Sequence, residues 1–333
     1  MGRMSSQKCQ FLYKKNFISV YYCTSRYYII TMKKLLLLTI LLCVSVASAK
    51  EPTRREVANH LQNISVTIKA EGRYSKSEGS GVLLVRKIGG KEVTFVWTAA
   101  HVVDNLRSVR EVVDEKGATR KLVEFKDPKI VKELVEDGRR VGEIKMDAKV
   151  IKYSDADHGH DLALLMVRAK DYGKEGTDFY LDSKEPIIPI GTQLFHVGSL
   201  LGQMGANSMT SGIISQVGRI HGKVEFDQTT VTAFPGSSGG GVYLQDGRYV
   251  GMLVRGAGEN FNLMVPVRRM KKWAADNSIL WAIDKTVKAP NMEEIEDLPV
   301  EGKKELEKKS KKGKSLEFEG EYPFLIKVTQ KEL

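Results

Sequence analysis

Three residues of this sequence have the types that activate a serine: His101, Asp161 and Ser238. A serine hydroxyl becomes a useful nucleophile when an imidazole takes its proton. The imidazole in turn needs a carboxylate to fix its tautomer and stabilise the imidazolium that forms. Ser238 lies in Phe234-Pro235-Gly236-Ser237-Ser238-Gly239-Gly240-Gly241, between two apolar, strand-like runs. A tight glycine-rich turn exposes the hydroxyl and lets a peptide approach the backbone closely. The same turn could aim the amides of Gly236 and Ser238 at one point, where an oxyanion would develop. Alone, such a run reads equally well as a flexible turn or linker. A histidine beside a strand is more often structural, and an aspartate before an apolar strand is often only a cap. The weight therefore rests on the three together, in the order His, Asp, Ser.

The elements that must position them are mostly short strands. Ile64–Ile68 alternates with period two, and Glu78–Val85 and Val93–Thr98 form a strand pair across Gly89-Gly90. The second strand runs into Ala99-Ala100-His101, whose small residues let the ring lie against a barrel wall. Residues 107–149 are richly charged and read as a long surface hairpin or insertion. Lys149–Lys152 reads as a strand, and Leu162–Val167 is a buried-type strand. Of Asp155, Asp157 and Asp161, only Asp161 is attached directly to that strand, and the other two read as turn residues. Ile187–Ile190, Gln193–Val197, Met209–Ser215, Thr229–Ala233, Gly241–Leu244, Tyr249–Val254 and Asn262–Val265 form a second set of short strands. Two such sets predict a barrel or sandwich in two units, with His101 and Asp161 in the first and Ser238 in the second. Pro266 opens a helix running towards Trp281.

The net charge of +11 suggests a polyanion partner, but residues 1–49 hold seven Lys/Arg and no acid. The remainder carries 45 Lys/Arg against 41 Asp/Glu, so nucleic-acid binding is not read from it. Lys33-Lys34, the 12-residue apolar run Leu35–Val46 and Ala47-Ser48-Ala49 have the three-part pattern of a secretory signal peptide starting at Met32 and cut after Ala49. The run is too short for a comfortable membrane span, so no stable membrane insertion is expected after cleavage. Residues 1–31 fit no signal pattern and read as a non-native upstream extension. Cys9, Cys23 and Cys43 all precede the cut, so the mature chain would have no disulfide, thiol catalysis or cysteine–zinc site. No cofactor or metal is expected. The expected location is secreted or periplasmic. From residue 283 to 333 the chain reads as a charged, mobile tail, with seven lysines between Lys303 and Lys314.

The motifs resemble the trypsin-like serine proteases, and within them the HtrA branch. The resemblance rests on Gly79-Ser80-Gly81-Val82 with Trp97–His101, on Asp161–Leu165, on Thr210–Ser215, and on Pro235–Gly240. It implies an all-β fold of two perpendicular six-stranded β-barrels with a C-terminal α-helix, spanning residues 50–282. The barrels would cover about residues 57–170 and 185–267. It implies peptide-bond hydrolysis through an acyl-enzyme, with polypeptide substrates. His101 would be general base and then acid, Asp161 its orienter, Ser238 the nucleophile, and the Gly236 and Ser238 amides the oxyanion hole. Three departures stand out. About 50 residues follow the helix, too few for the peptide-binding PDZ domain of HtrA enzymes. Ser237 stands where Asn or Asp is common. No zymogen-type buried amino terminus is evident.

By motif spacing, Thr232, Val254, Gly256 and Asn262 line the primary pocket. No acid is among them, which disfavours Lys/Arg and favours small or aliphatic side chains. Arg255 reads either as a partner for an acidic substrate group or as a solvated edge residue. The alternatives from other classes are a catalytically silent, peptide-binding relative, a surface-binding protein using the lysine tail, and a serine esterase. Homo-oligomerisation is left open.

Overall fold

The computed structural model describes residues 52–301, apart from 114–116, 118, 137–138, 158, 170–171, 183, 222–223 and 257–259. The leader, the signal-like run and the lysine cluster therefore lie outside the described residues.

Helix α1 (Arg54–Asn63) opens the described chain. The Thr53 hydroxyl accepts from the Glu56 amide, and the Glu56 carboxylate accepts from the Thr53 amide at 2.6 Å. This reciprocal cap, typically worth about 1 kcal/mol, orients the helix so that Val57 and Leu61 are buried. Strands β1 (Ser65–Glu71), β2 (Lys76–Ile88), β3 (Lys91–Thr98), β6 (Lys129–Glu136), β7 (Arg139–Ser154) and β8 (Leu162–Val167) close a barrel in the order β1-β2-β3-β8-β7-β6. Every residue of β8 is buried, as its unbroken apolar run requires. Strands β9 (Gln193–Leu200), β10 (Gly205–His221), β11 (Val224–Thr229), β12 (Gly241–Leu244), β13 (Tyr249–Gly256) and β14 (Asn262–Pro266) close a second, in the order β10-β11-β14-β13-β12-β9. The fold is all-β, with two six-stranded barrels followed by a helix.

Helix α3 (Val267–Asp276) follows the second barrel, packs back on it through Arg268, Arg269 and Met270, and also reaches the first. Its Trp273 meets Trp97 of β3 edge-on at 6.1 Å, and the Trp97 indole N–H donates to the Ala282 carbonyl at 2.9 Å. Trp281, in a 3₁₀ turn, meets Phe95 at 4.9 Å. The helix is shorter than the sequence suggests. It closes at Asn277, whose amide and side chain turn back onto the Trp273 carbonyl.

Four expectations need correction. Residues 107–149 are not all a surface insertion: β4 (Arg107–Val113) and β5 (Thr119–Phe125) form a separate two-stranded sheet, but β6 and β7 are barrel strands. Their buried signal is confined to Ile130, Val131, Ala148 and Val150–Ser154, and charged residues dominate where the hairpin extends past the barrel. Ile187–Ile190 is irregular, because Pro186 and Pro189 cannot donate to a ladder. The run Thr229–Ala233 is a strand only to Thr229. Finally, residues 283–301 are not a mobile tail but pack on the first barrel. Ile295, in the short helix α4 (Met292–Glu296), is fully buried. The Arg86 guanidinium donates to the Val287 carbonyl, Lys152 donates to Pro299, and Arg107 pairs with the buried Glu301.

Candidate active site

His101 sits on a single helical turn, α2 (Ala100–Val103), at the end of β3. Ala99 and Ala100 are fully buried, and their small side chains let the turn lie close against the barrel. Asp161 enters from the loop before β8 and is 1% exposed. Both of its carboxylate oxygens lie 3.0 Å from His101 Nδ1, and Oδ1 also accepts from the His101 amide at 3.1 Å. A carboxylate only accepts, so Nδ1 carries the proton and a neutral ring presents Nε2 as the acceptor.

Asp161 has φ +55°, a left-handed conformation uncommon for a residue other than glycine. Neighbouring groups hold it there. Its amide donates to the Asp155 carbonyl, the His160 amide donates to the Ser154 hydroxyl, and Arg255 donates to the Ala156 carbonyl. From α3, Arg269 donates to the His160 carbonyl at 2.6 Å and the Glu225 carbonyl at 2.7 Å, with its guanidinium over the Phe226 ring. Burial pushes the Arg269 pKa down to about 10, with Asp161 opposing the shift. Arg255, half-buried on β13, thus clasps the aspartate loop with part of its guanidinium.

Ser238 stands on the second barrel, and its approach to the histidine turn depends on Gly79. A Cβ at Gly79 would meet the Val102 methyls at 2.5 and 2.7 Å and the Ser238 carbonyl at 3.1 Å. That carbonyl accepts from the Ser80 amide at 2.7 Å, which stitches the serine to β2. The Ser238 hydroxyl donates to the Val254 carbonyl at 3.4 Å rather than to His101.

The turn is set by its carbonyls. The Pro235 carbonyl accepts from the Leu201 amide at 2.7 Å, and the Ser237 carbonyl accepts from the Gly240 amide at 3.0 Å. In a trans peptide the N–H points opposite to the carbonyl. Both bonds therefore turn the amides of Gly236 and Ser238 away from the body, and among the described residues neither amide has an acceptor. Two free N–H groups on one turn can stabilise an oxyanion. Gly236 holds φ +96°, a conformation glycine adopts without strain.

Asn262 and Gly256 face each other across β13 and β14. The Asn262 amide donates to the Val231 carbonyl, and a Cβ at Gly256 would lie 2.5 Å from its oxygen. Thr232 follows Val231 and is exposed. Val254 is buried and reaches the serine through its carbonyl. The four predicted pocket residues thus gather at one end of the second barrel, with no acid among them.

Sequence reasoning missed Arg269, which is indistinguishable in an amphipathic helix from a surface arginine. It also missed the buried His196, which lies beneath the serine turn. The His196 Nδ1 donates to the Gly241 carbonyl at 3.0 Å, and burial pushes its pKa down to about 4. Among the described residues no group of three or more His, Cys, Asp or Glu is placed to hold a metal ion. No described helix is long and apolar enough to cross a membrane.

Residues 79–252, just over half of the chain, match the family model of the trypsin-like peptidase domain. No curated protein sequence matches the chain. Among solved structures, the serine endoprotease from Yersinia pestis is similar at 18% identity and a TM-score of 0.48, over 69% of this chain and 67% of that one. The HtrA-type protease AlgW, solved with a tripeptide, is similar at 17% identity and the same TM-score, over 68% of this chain and 64% of its own. The matched segment contains His101, Asp161 and Ser238, and the chain belongs to the trypsin-like peptidase family of serine-type endopeptidases.

Proposed function

We propose that this protein hydrolyses polypeptides through an acyl-enzyme on Ser238, with His101 as general base and then acid and Asp161 as its orienter. The observation that carries the reading is the His101–Asp161 pair at 3.0 Å beside a serine turn with two free amides. In the reaction, Ser238 leaves the Val254 carbonyl for His101 Nε2 by a change of side-chain rotamer. Such a bond is often loose until substrate binds. The hydroxyl oxygen then attacks the scissile carbonyl, and the proton passes to Nε2. The developing oxyanion takes hydrogen bonds from Gly236 and Ser238. Collapse breaks the C–N bond, and Nε2 returns the proton to the leaving amine. Water repeats the cycle on the acyl-enzyme.

Thr232, Val254, Gly256 and Asn262 supply a primary pocket without an acid, which favours small or aliphatic side chains. The three-part pattern at residues 32–49 supports export to the periplasm or the exterior. The test is casein digestion by the full chain beside Ser238→Ala and His101→Ala. The reading predicts cleavage by the wild type and a loss of at least about 10³-fold in each variant. Undiminished cleavage by either variant, or none by a folded wild type, contradicts it.

A further inference from the structure

Ser80 does more than extend the ladder of β2. It is fully buried, and its hydroxyl donates to the Gly236 carbonyl at 2.7 Å while accepting from the Ser199 amide at 2.7 Å. One hydroxyl has one proton to give, so the amide of β9 fixes the direction in which that proton points. Two carbonyls flank the Gly236 α-carbon. The Pro235 carbonyl, held by the Leu201 amide, sets the peptide before it. The Gly236 carbonyl, held by Ser80, sets the peptide after it. The Gly236 N–H lies in the first of these peptide planes, opposite the Pro235 carbonyl, and the Ser80 bond anchors the far side of a glycine whose φ of +96° no side chain restrains.

The first bond also leads back to β2. Leu201 has φ +61° and opens a 3₁₀ turn, Gly202–Met204. The Gln203 amide of that turn donates to the Glu78 carboxylate at 2.8 Å. Glu78, two residues before Ser80, thus braces the turn that holds Pro235, and Ser80 braces Gly236 directly. A three-residue stretch of the first barrel supports the oxyanion loop of the second by two routes.

We propose that Ser80 and Glu78 are positioning residues that lock the Gly236 amide towards the developing oxyanion. Neither touches the substrate. The inference rests on the proposed hydrolytic function, since an oxyanion must form for the lock to matter. Its signature is kinetic: an interaction felt mainly in the transition state changes kcat and leaves KM nearly unchanged.

The test uses the full chain and a chromogenic peptide cut after the residue that casein digestion identifies. Ser80→Ala should lower kcat by roughly 10–100-fold with KM within about threefold, less than the loss of a direct donor. Affinity for the matching peptide aldehyde, whose hemiacetal oxygen occupies the hole, should fall in parallel. Because Ser80 is buried, the solvent-accessible Glu78 provides the second arm. Glu78→Ala should lower kcat by about threefold to tenfold, and Glu78→Gln, which keeps an acceptor for the Gln203 amide, should restore most of it. Unchanged kcat in a folded Ser80→Ala overturns the lock while leaving the hydrolytic reading intact. So does equal behaviour of Glu78→Ala and Glu78→Gln, should Ser80→Ala not fold. An inactive, folded wild type removes the hydrolytic reading and the lock together.

Discussion

The two barrels contribute to the site in different currencies. The first offers side chains: an imidazole and a carboxylate that meet directly, with the carboxylate almost fully buried. The second offers backbone: two amides set by where neighbouring carbonyls are held, around one hydroxyl. A side-chain site is specified by residue type and fails when the type changes. A backbone site is specified by conformation and fails when a peptide turns, even if every catalytic residue remains. Gly79 belongs to both, because its missing side chain lets Val102 and Ser238 close on the same space.

The contrast is broken most sharply by one change on each side. Asp161→Asn preserves shape but removes the charge and puts an NH2 donor where one of the two accepting oxygens stood, so the His101 tautomer is no longer fixed. It should lower kcat by about 10³–10⁴-fold with little loss of stability. Gly236→Ala changes no group that reacts. Its Cβ would run into the Ser199 carbonyl and the Gly202 amide, and φ +96° is strained for alanine. It should lower kcat by about 10²-fold or more, and lower the melting temperature too. Steady-state kinetics beside thermal melting separates the two. A Gly236→Ala enzyme with normal kcat would mean that the turn is not the oxyanion site.

A smaller effect concerns the support beneath the serine turn. His196 has a folded pKa of about 4 against an ordinary value of 6.5, because burial disfavours its charged form. The unfolded chain therefore binds more protons between these values, and stability rises with pH across that window. The contribution is fully present above about pH 6.5 and lost as pH falls towards 4. It amounts to about 3 kcal/mol from a shift of this size. Denaturant unfolding at pH 7 and pH 4 should show the wild type losing about 3 kcal/mol more than His196→Asn. Equal losses would place the acid sensitivity elsewhere.

What was legible in the sequence follows the same division. His101, Asp161 and Ser238 could be named because chemistry demands those types, and short apolar runs with glycines between them announced two sets of strands. What could not be read is held by backbone. The Ser80 hydroxyl looks like any strand serine until the Gly236 carbonyl lies beside it. Arg269 looks like a solvated helix residue until its guanidinium meets the carbonyl before Asp161. Residues 283–301 are the clearest case. Their charge hides two buried isoleucines, Ile283 and Ile295, and carbonyls that accept from Arg86, Lys149 and Lys152 of the first barrel. The segment's other apolar residues, among them Val287, Leu298 and Val300, are scattered singly between charges, so no periodic pattern announces that they pack on the core, and the carbonyl contacts leave no trace in composition at all.

That segment supplies the smallest prediction. The Glu301 side chain is 2% exposed and pairs with Arg107, at the start of β4, through both oxygens. Glu301→Ala leaves a partly buried cation without its partner and should cost about 2 kcal/mol, between the values for surface and fully buried pairs. Truncation after residue 283 should lower the melting temperature by several degrees relative to truncation after residue 301. Equal melting temperatures for the two truncations would show that the segment contributes nothing to the barrel.

The central claim is that the two barrels assemble one reactive serine. Its most direct test is to treat the full chain with a fluorophosphonate and locate the adduct by peptide mass spectrometry, beside His101→Ala. The account predicts one adduct, on Ser238, at near-stoichiometric yield, and at least about a hundredfold slower labelling in the variant. An adduct on another residue, or a folded wild type that takes up no label, would contradict it.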